Sequence, residues 1–274
     1  MEMINYLFLE PLTYPFMQRA LISSMIVAAT CSIFSCFLIL KGWSLVGDAL
    51  SHAILPGIIL AYLVNLPLLI GALISAFFCT IISHYLQQNT RLKSDTILGV
   101  VFSTMFAFGL VLLSKIKSDL HLLHILFGDI LGISWPELSR MSVIALPAFL
   151  IMFIKRHDFM LYCFDQEQAK LVHIPTKLIN LILLTLLVVT IVVALEAAGI
   201  ILVIAMLIAP GATGLVLTKS YVKMIWVAFF SAQISVMMGV FLSYHGDLPT
   251  GPLIVIMQAI LFVLAMFLSR YRIF

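Results

Sequence analysis

Leu178-Ile-Asn-Leu-Ile-Leu-Leu-Thr-Leu-Leu-Val-Val-Thr-Ile-Val-Val-Ala-Leu195 decides the fold class, because this run contains 18 residues and no charged side chain. A helix of about 20 such residues spans the hydrocarbon core of a bilayer. The whole chain is also strongly apolar: it is 63% hydrophobic and 10% charged, with a mean hydropathy of +1.20. These values exclude an ordinary soluble domain and predict an all-α, polytopic transmembrane helical bundle.

Further apolar runs of similar length lie on both sides of this one, and together they predict about nine spans, with eight or ten as alternatives. Short connections join the runs, so a single transmembrane domain over residues 1–274 is expected. The predicted spans are 20–40, 48–64, 67–86, 96–114, 139–155, 177–195, 198–218, 223–244 and 251–269.

The positive charges are distributed unequally between the two sides of the predicted bundle. With nine spans and the N-terminus outside, 11 of the 15 Lys and Arg residues lie on one side and four on the other. The side with the larger number is predicted to be cytoplasmic, because cytoplasmic loops carry the excess of Lys and Arg.

A polar pair stands at the start of the second predicted span, within Gly47-Asp-Ala-Leu-Ser-His-Ala-Ile-Leu-Pro-Gly57. Asp48 and His52 are four residues apart, so a helix places them on one face, about 5–6 Å apart at Cβ, where one divalent cation can bind both. An ionisable residue at membrane depth costs about 2.5–3.5 kcal/mol on insertion scales. Two interpretations follow: a metal pathway, or Asp48 as a helix cap and His52 as a core residue.

A long connection at 115–138 lies on the predicted outer side, and its apolar residues predict a short helix at the outer surface. His121 and His124 share one face of that helix, and Asp129 follows them. One hypothesis is that these side chains collect cations for entry or gating. The alternative is a helix that packs on the bundle and turns its polar residues toward water.

Three other polar residues lie at predicted outer ends of spans. Glu196 stands between spans six and seven, where it is either solvated or part of the transport path. His245 and Asp247 belong to a Gly- and Pro-rich turn, with a gate as the alternative role. Ala209-Pro-Gly-Ala212 is predicted to break span seven and to leave backbone groups that protein or water must satisfy.

The connection at 157–175 is predicted to form a short cytoplasmic helix. Asp165 is a suitable N-cap, Glu167 lies in the first turn, and Lys170 lies toward the end. The two interpretations are a solvated loop helix and a docking element for a cytoplasmic motor. An apolar anchor for such docking is predicted from the preceding residues Phe159, Leu161, Tyr162 and Phe164.

Several enzymatic motifs are missing from the sequence. It contains no phosphate loop of the form GxxxxGK[ST], so an energy-driven activity would depend on nucleotide chemistry in another chain. It also has no HExxH or GxSxG motif, which argues against an intramembrane hydrolase. The four cysteines form no CxxC pair and are predicted to be core residues. The chain is therefore predicted not to be an enzyme.

Five segments of the chain carry a resemblance to a known family: Leu40–Gly57, Arg91–Gly99, His124–Gly132, Phe164–Ala169 and Gly199–Ala212. Through them, nearly the whole chain resembles the membrane permease of ATP-binding-cassette importers for divalent metals, the zinc, manganese and iron uptake family. The form Lys41-Gly-Trp-Ser44 is closer to the manganese and iron branch than to zinc-type relatives, which often have Arg-Arg-Met-Ser at this place.

The resemblance implies a bacterial plasma-membrane protein that imports Mn²⁺, with Fe²⁺ and Zn²⁺ as alternatives and no permanently bound cofactor. It implies four kinds of partner: a cytoplasmic ATPase, an extracytoplasmic metal-binding protein, a second or sister permease, and membrane lipid, but no nucleic acid. Asp48 and His52 would line the metal path, and Asp165, Glu167 and Ala169 would belong to the helix that couples to the ATPase. A secondary metal transporter driven by an ion gradient is the rival hypothesis.

Overall fold

In the computed structural model the chain is built from helices, and no strand occurs within the described residues, which are 10–115, 128 and 130–271. The helices, numbered in chain order, are α1 (Glu10–Leu12), α2 (Pro15–Lys41), α3 (Val46–Ala53), α4 (Leu55–Leu63), α5 (Leu68–Asn89), α6 (Ser94–Ser114), α7 (Trp135–Ile154), α8 (Arg156–Phe164), α9 (Gln166–Leu171), α10 (Thr176–Leu217), α11 (Tyr221–Gly246) and α12 (Thr250–Tyr271).

Eight helical segments of this described chain are long and apolar enough to cross a membrane, which confirms the predicted all-α polytopic bundle. One of them, α10, has 42 residues and is interrupted at Gly199, where φ is 76° and ψ is 168°. A straight helix of that length would measure about 63 Å, twice the hydrocarbon thickness of a bilayer. The two halves of α10 correspond to the predicted spans 177–195 and 198–218, and counting them separately gives nine.

The described helices form two compact units, each assembled from separate stretches of chain. Unit one contains 10–39, 128, 130–155 and 194–271, and unit two contains 40–115 and 156–193. Unit two holds α3 to α6, α8, α9 and the first part of α10. A single permease domain over 1–274 stays a prediction, because each unit is described by itself.

In unit two, α4 and α5 cross so closely that their backbones touch. A Cβ atom on Gly57 would overlap the carbonyl oxygen of Gly71, and one on Gly71 would overlap that of Gly57. Next to this crossing, Ser75 Oγ donates a hydrogen bond of 2.6 Å to the carbonyl of Ala53, where α3 ends. Small residues allow such close helix contact in membranes, and the Ser75 bond satisfies a carbonyl at the junction between α3 and α4.

The first prediction concerns this crossing. We expect Gly57→Val to destabilise the protein by about 3 kcal/mol, because the added side chain must push α5 away from α4. Thermal unfolding of the purified protein in detergent measures the effect. Gly99→Ala is the matched control, because a Cβ at Gly99 meets no atom within 4 Å. Equal melting temperatures for the two variants would contradict the close crossing.

In unit one, Ser35 compensates for the proline in the second half of α10. Its Oγ accepts from the Gly211 N–H at 2.9 Å and donates to the Ile208 carbonyl at 3.0 Å. The sequence predicted a helix break at Ala209–Ala212, which is wrong, since Gly199 is the position of α10 with non-helical backbone angles. The expectation that protein groups satisfy the backbone beside Pro210 agrees with the Ser35 contacts.

Candidate metal site

Asp48 and His52 face each other on α3, as their spacing predicts. His52 Nε2 lies 3.3 Å from Asp48 Oδ1, and the two side chains are 26% and 32% exposed, respectively. Metal–ligand bonds of about 2.1 Å that meet at 90–110° place neighbouring donor atoms about 3.0–3.4 Å apart. The two side chains are therefore already spaced as adjacent ligands of one cation.

The His52 ring is held by aromatic packing. Its centroid lies 5.0 Å from that of Phe106, edge to face, and 6.1 Å from that of Phe102, nearly parallel. His52 Nδ1 is buried and has no hydrogen-bond partner among the described residues. The packing directs Nε2 toward Asp48, so this nitrogen is the one available to a cation.

The local sequence explains why the pair stands at a helix end. Pro56 has no backbone N–H and cannot donate to the carbonyl of His52, four residues earlier, so the helix is interrupted between Ala53 and Leu55. Ser75 binds the Ala53 carbonyl at this interruption. His52 thus lies next to the residue whose carbonyl Ser75 binds, and Asp48 lies at the other end of the same short helix.

As a metal site, Asp48 and His52 would supply two ligands. Within the described ranges, no group of three or more His, Cys, Asp or Glu side chains could hold a metal ion. A cation bound here would complete its coordination with water, backbone oxygen or donors from another chain, because Mn²⁺-like cations take about six ligands.

The structure also describes three of the residues proposed for entry or gating: Glu196, His245 and Asp247. Glu196 Oε1 lies 3.5 Å from Arg140 in unit one, and both side chains are exposed. His245 Nδ1 lies 2.9 Å from the Phe241 carbonyl at the end of α11. Asp247 is the left-handed C-cap of the same helix, with φ of 49°.

These contacts give the three residues local structural partners. Their gating roles stay predictions, as does the metal role of Asp48 and His52. His121, His124, Asp129 and most of the predicted outer helix at 115–138 lie outside the described residues.

The predicted cytoplasmic helix is present as α9. Asp165 is its N-cap, since Oδ1 accepts from the N–H groups of Glu167 and Gln168 at 2.9 and 3.0 Å. Glu167 also pairs with Lys170 at 2.7 Å. Ala169 is fully buried, so it fixes α9 against the protein, whereas Glu167 faces solvent.

The predicted apolar anchor is partly wrong. Phe159 and Tyr162 are buried within the protein and cannot form a docking surface, because α8 uses them to pack against its own chain. Phe164 is 76% exposed, and two residues that the sequence analysis missed, Leu171 and Val172, are also exposed beside α9. Because α9 is a short helix, the pattern of apolar residues in its sequence does not distinguish its exposed face from its buried face.

The thiol of Cys163, on α8, is buried, so its rate of chemical labelling measures how closely α8 is packed. Burial raises the pKa of Cys163 to about 12, so at neutral pH it stays a thiol and its thiolate fraction rises tenfold per pH unit. We expect maleimide at pH 7.5 to label Cys163 about 1,000-fold more slowly than an exposed cysteine. Phe164→Cys provides that comparison on the adjacent residue, and peptide mass spectrometry distinguishes the two sites. Similar labelling rates would contradict the buried position.

The eight membrane-length helices found among the described residues define a multi-pass helical membrane protein. Residues 13–269 match the model of the ABC 3 transport family, and relatives are similar over nearly the whole chain. The chain therefore belongs to the ABC 3 transport family and is a multi-pass protein of the bacterial plasma membrane.

Three relatives illustrate the similarity. A probable iron transport system membrane protein of Haemophilus influenzae is 52% identical, covering 97% of this chain and 98% of the relative. The chelated iron transport system membrane protein YfeD of Yersinia pestis is 49% identical, covering 99% and 92%. The manganese transport system membrane protein MntB of Synechocystis is 44% identical, covering 94% and 84%.

A solved structure is similar as well. It is PsaBC from Streptococcus pneumoniae in complex with Fab, with a TM-score of 0.84 and 32% identity, covering 96% of this chain and 95% of the matched chain. Sequence similarity thus supports membership of the ABC 3 transport family, and similarity to a solved structure supports the helical architecture.

Proposed function

We propose that this chain is the membrane-spanning permease of an ATP-driven importer that carries Mn²⁺, or alternatively Fe²⁺, into the cytoplasm. The observation that carries the proposal is the 3.3 Å spacing of Asp48 Oδ1 and His52 Nε2 on a helix of a membrane bundle. The names of the relatives support the choice of metals, since they are manganese and iron transport proteins.

The ligand chemistry suits a transported cation. One carboxylate and one imidazole bind Mn²⁺ and Fe²⁺, and no thiolate that would favour softer ions forms part of the pair. Zn²⁺ binds the same donors at least as tightly under the usual affinity order, so selection against it falls to the delivering protein. Two ligands per chain also keep binding weak enough for release, as conduction requires.

The proposed importer needs partners beyond this chain. A cytoplasmic ATPase supplies the energy and docks on α9, where Glu167 and Leu171 are exposed. An extracytoplasmic binding protein delivers the ion on the outer side. A second permease, either a copy or a sister chain, forms the cavity with this one and contributes further ligands. The ATPase hydrolyses ATP, and this chain provides the path by which the metal ion crosses the membrane.

Uptake of radiolabelled Mn²⁺ into vesicles tests the proposal. The vesicles contain this chain with its ATPase, its sister permease where one is needed, and the loaded binding protein. We expect uptake that requires ATP, persists when the proton gradient is collapsed, and is reduced more by unlabelled Fe²⁺ than by Zn²⁺. Uptake that needs the gradient and not ATP would favour a secondary transporter. Stronger competition by Zn²⁺ would favour a zinc importer.

A further inference from the structure

A buried cation lies between two aromatic rings in unit two. Lys41, the last residue of α2, places Nζ 3.5 Å from the ring centroid of Tyr162 and 4.3 Å from that of Trp43. Within the described part of the chain, this Nζ is buried and has no hydrogen-bond partner. The ring faces are therefore its stabilising contacts, since an ammonium is attracted to the negative face of an aromatic ring.

The two rings belong to elements with different functions in the proposed importer. Trp43 comes just before α3, the helix of Asp48 and His52, and its carbonyl accepts from the Val46 N–H at 3.4 Å. Tyr162 lies in α8, three residues before Asp165, which caps the docking helix α9. Lys41 thus contacts two segments. One is the stretch that leads into α3, which carries Asp48 and His52, and the other is α8, which leads into α9.

The contact on the Tyr162 side is fixed by a second interaction. Its hydroxyl donates to Asn180 Oδ1 on α10 at 2.7 Å, so the ring cannot move independently of that helix. Phe159, one turn earlier on α8, is buried and holds the same face of α8 against the protein. Movement of α8 therefore displaces the Tyr162 ring and the Lys41 ammonium together.

We propose that Lys41 is a coupling residue: it transmits displacement of the docking helix α9, through α8, to the start of α3 and hence to Asp48 and His52. This inference rests on the proposed function, because it assigns the two ends of the connection to ATPase docking and metal binding. It deepens that function by naming the internal contact through which one end moves the other. Lys41 contacts neither nucleotide nor metal in this proposal, and it acts only through its contacts with Trp43 and Tyr162.

The number of metal ions moved per ATP hydrolysed tests the proposal in the reconstituted importer. We expect Lys41→Met to lower this ratio about tenfold, a typical size for coupling between two sites. Lys41→Arg should retain most of it, because guanidinium also stacks on aromatic faces. Lys177→Met is the matched control, since it removes the same charge from an exposed position on the predicted cytoplasmic side. A role in folding alone would lower the amount of assembled protein and leave the ratio unchanged.

A second pair of variants tests the other side of the contact. Tyr162→Phe keeps the ring but loses the bond to Asn180, so it should lower the ratio less than Tyr162→Leu, which removes the ring and should match Lys41→Met. The double variant Lys41→Met with Tyr162→Leu should be no worse than either single change, because both remove one contact. If neither Lys41→Met nor Tyr162→Leu reaches the membrane while Lys177→Met does, the contact is structural and the proposal is overturned.

Failure of this inference and failure of the proposed function give different results. Wild-type protein that moves no metal at all contradicts the proposed function. Wild-type protein that moves metal with ATP, while Lys41→Met keeps the wild-type ratio of ions to ATP, overturns the coupling role of Lys41 and leaves the importer standing.

Discussion

Replacing Asp48 or His52 by alanine is expected to reduce metal uptake about 100-fold or more, since in the proposed importer each change removes one of two protein ligands of the transported cation. The effect should appear at equal membrane abundance, because both side chains are partly exposed and neither fills the core. Uptake of radiolabelled Mn²⁺ in the ATP-containing vesicles measures it.

The design of this experiment separates ligand loss from general damage. His84→Ala is the matched control, because His84 is an exposed histidine of the same unit whose ring pairs with Gln88 at 2.9 Å, one turn along α5. The double variant Asp48→Ala with His52→Ala should be about as inactive as either single variant, because the residues act on one ion. Normal uptake in both single variants would contradict a role of the pair in the metal path.

Placing acidic residues at the exposed apolar positions on either end of α9 is expected to weaken assembly with the ATPase strongly. Phe164 and Leu171 are 76% and 78% exposed, and apolar residues at the centre of an interface contribute most of its binding energy. We expect Phe164→Glu with Leu171→Glu to reduce co-purification of the ATPase at least about tenfold and to reduce ATP-dependent uptake to the same degree.

Two further variants define the surface. Leu92→Glu is the control, because Leu92 is an exposed apolar residue on the predicted cytoplasmic side, between α5 and α6. Glu167→Lys should have an intermediate effect, since it reverses one exposed charge and breaks the pair with Lys170. Normal co-purification of the Phe164 and Leu171 variant would exclude α9 and its flanks as the docking surface.

The parts of the fold that were predictable from sequence depend on patterns within one segment. Long apolar runs predicted the spans to within a few residues, and the spacing of four predicted that Asp48 and His52 face each other. Asp165 was predictable as an N-cap because its carboxylate binds N–H groups two and three residues along the chain.

The parts that were missed depend on contacts between distant segments. Phe106 holds the His52 ring, and Ser35 satisfies the backbone beside Pro210, but neither contact follows a local period. The break in α10 falls at Gly199 and not at the proline, because Ser35 compensates for the proline, whereas positive φ is freely available to glycine. Burial of Tyr162 likewise depends on α10, 18 residues along the chain.

The hydrogen bond from Ser75 to the Ala53 carbonyl makes the end of α3 a pivot. Along the helix axis, at 1.5 Å per residue, Asp48 lies about 7.5 Å from Ala53 and His52 lies about 1.5 Å from it. A tilt of α3 about this end would displace the helix axis at Asp48 about five times further than at His52. The spacing of the two side chains would then depend on the angle at which α3 leaves its junction with α4.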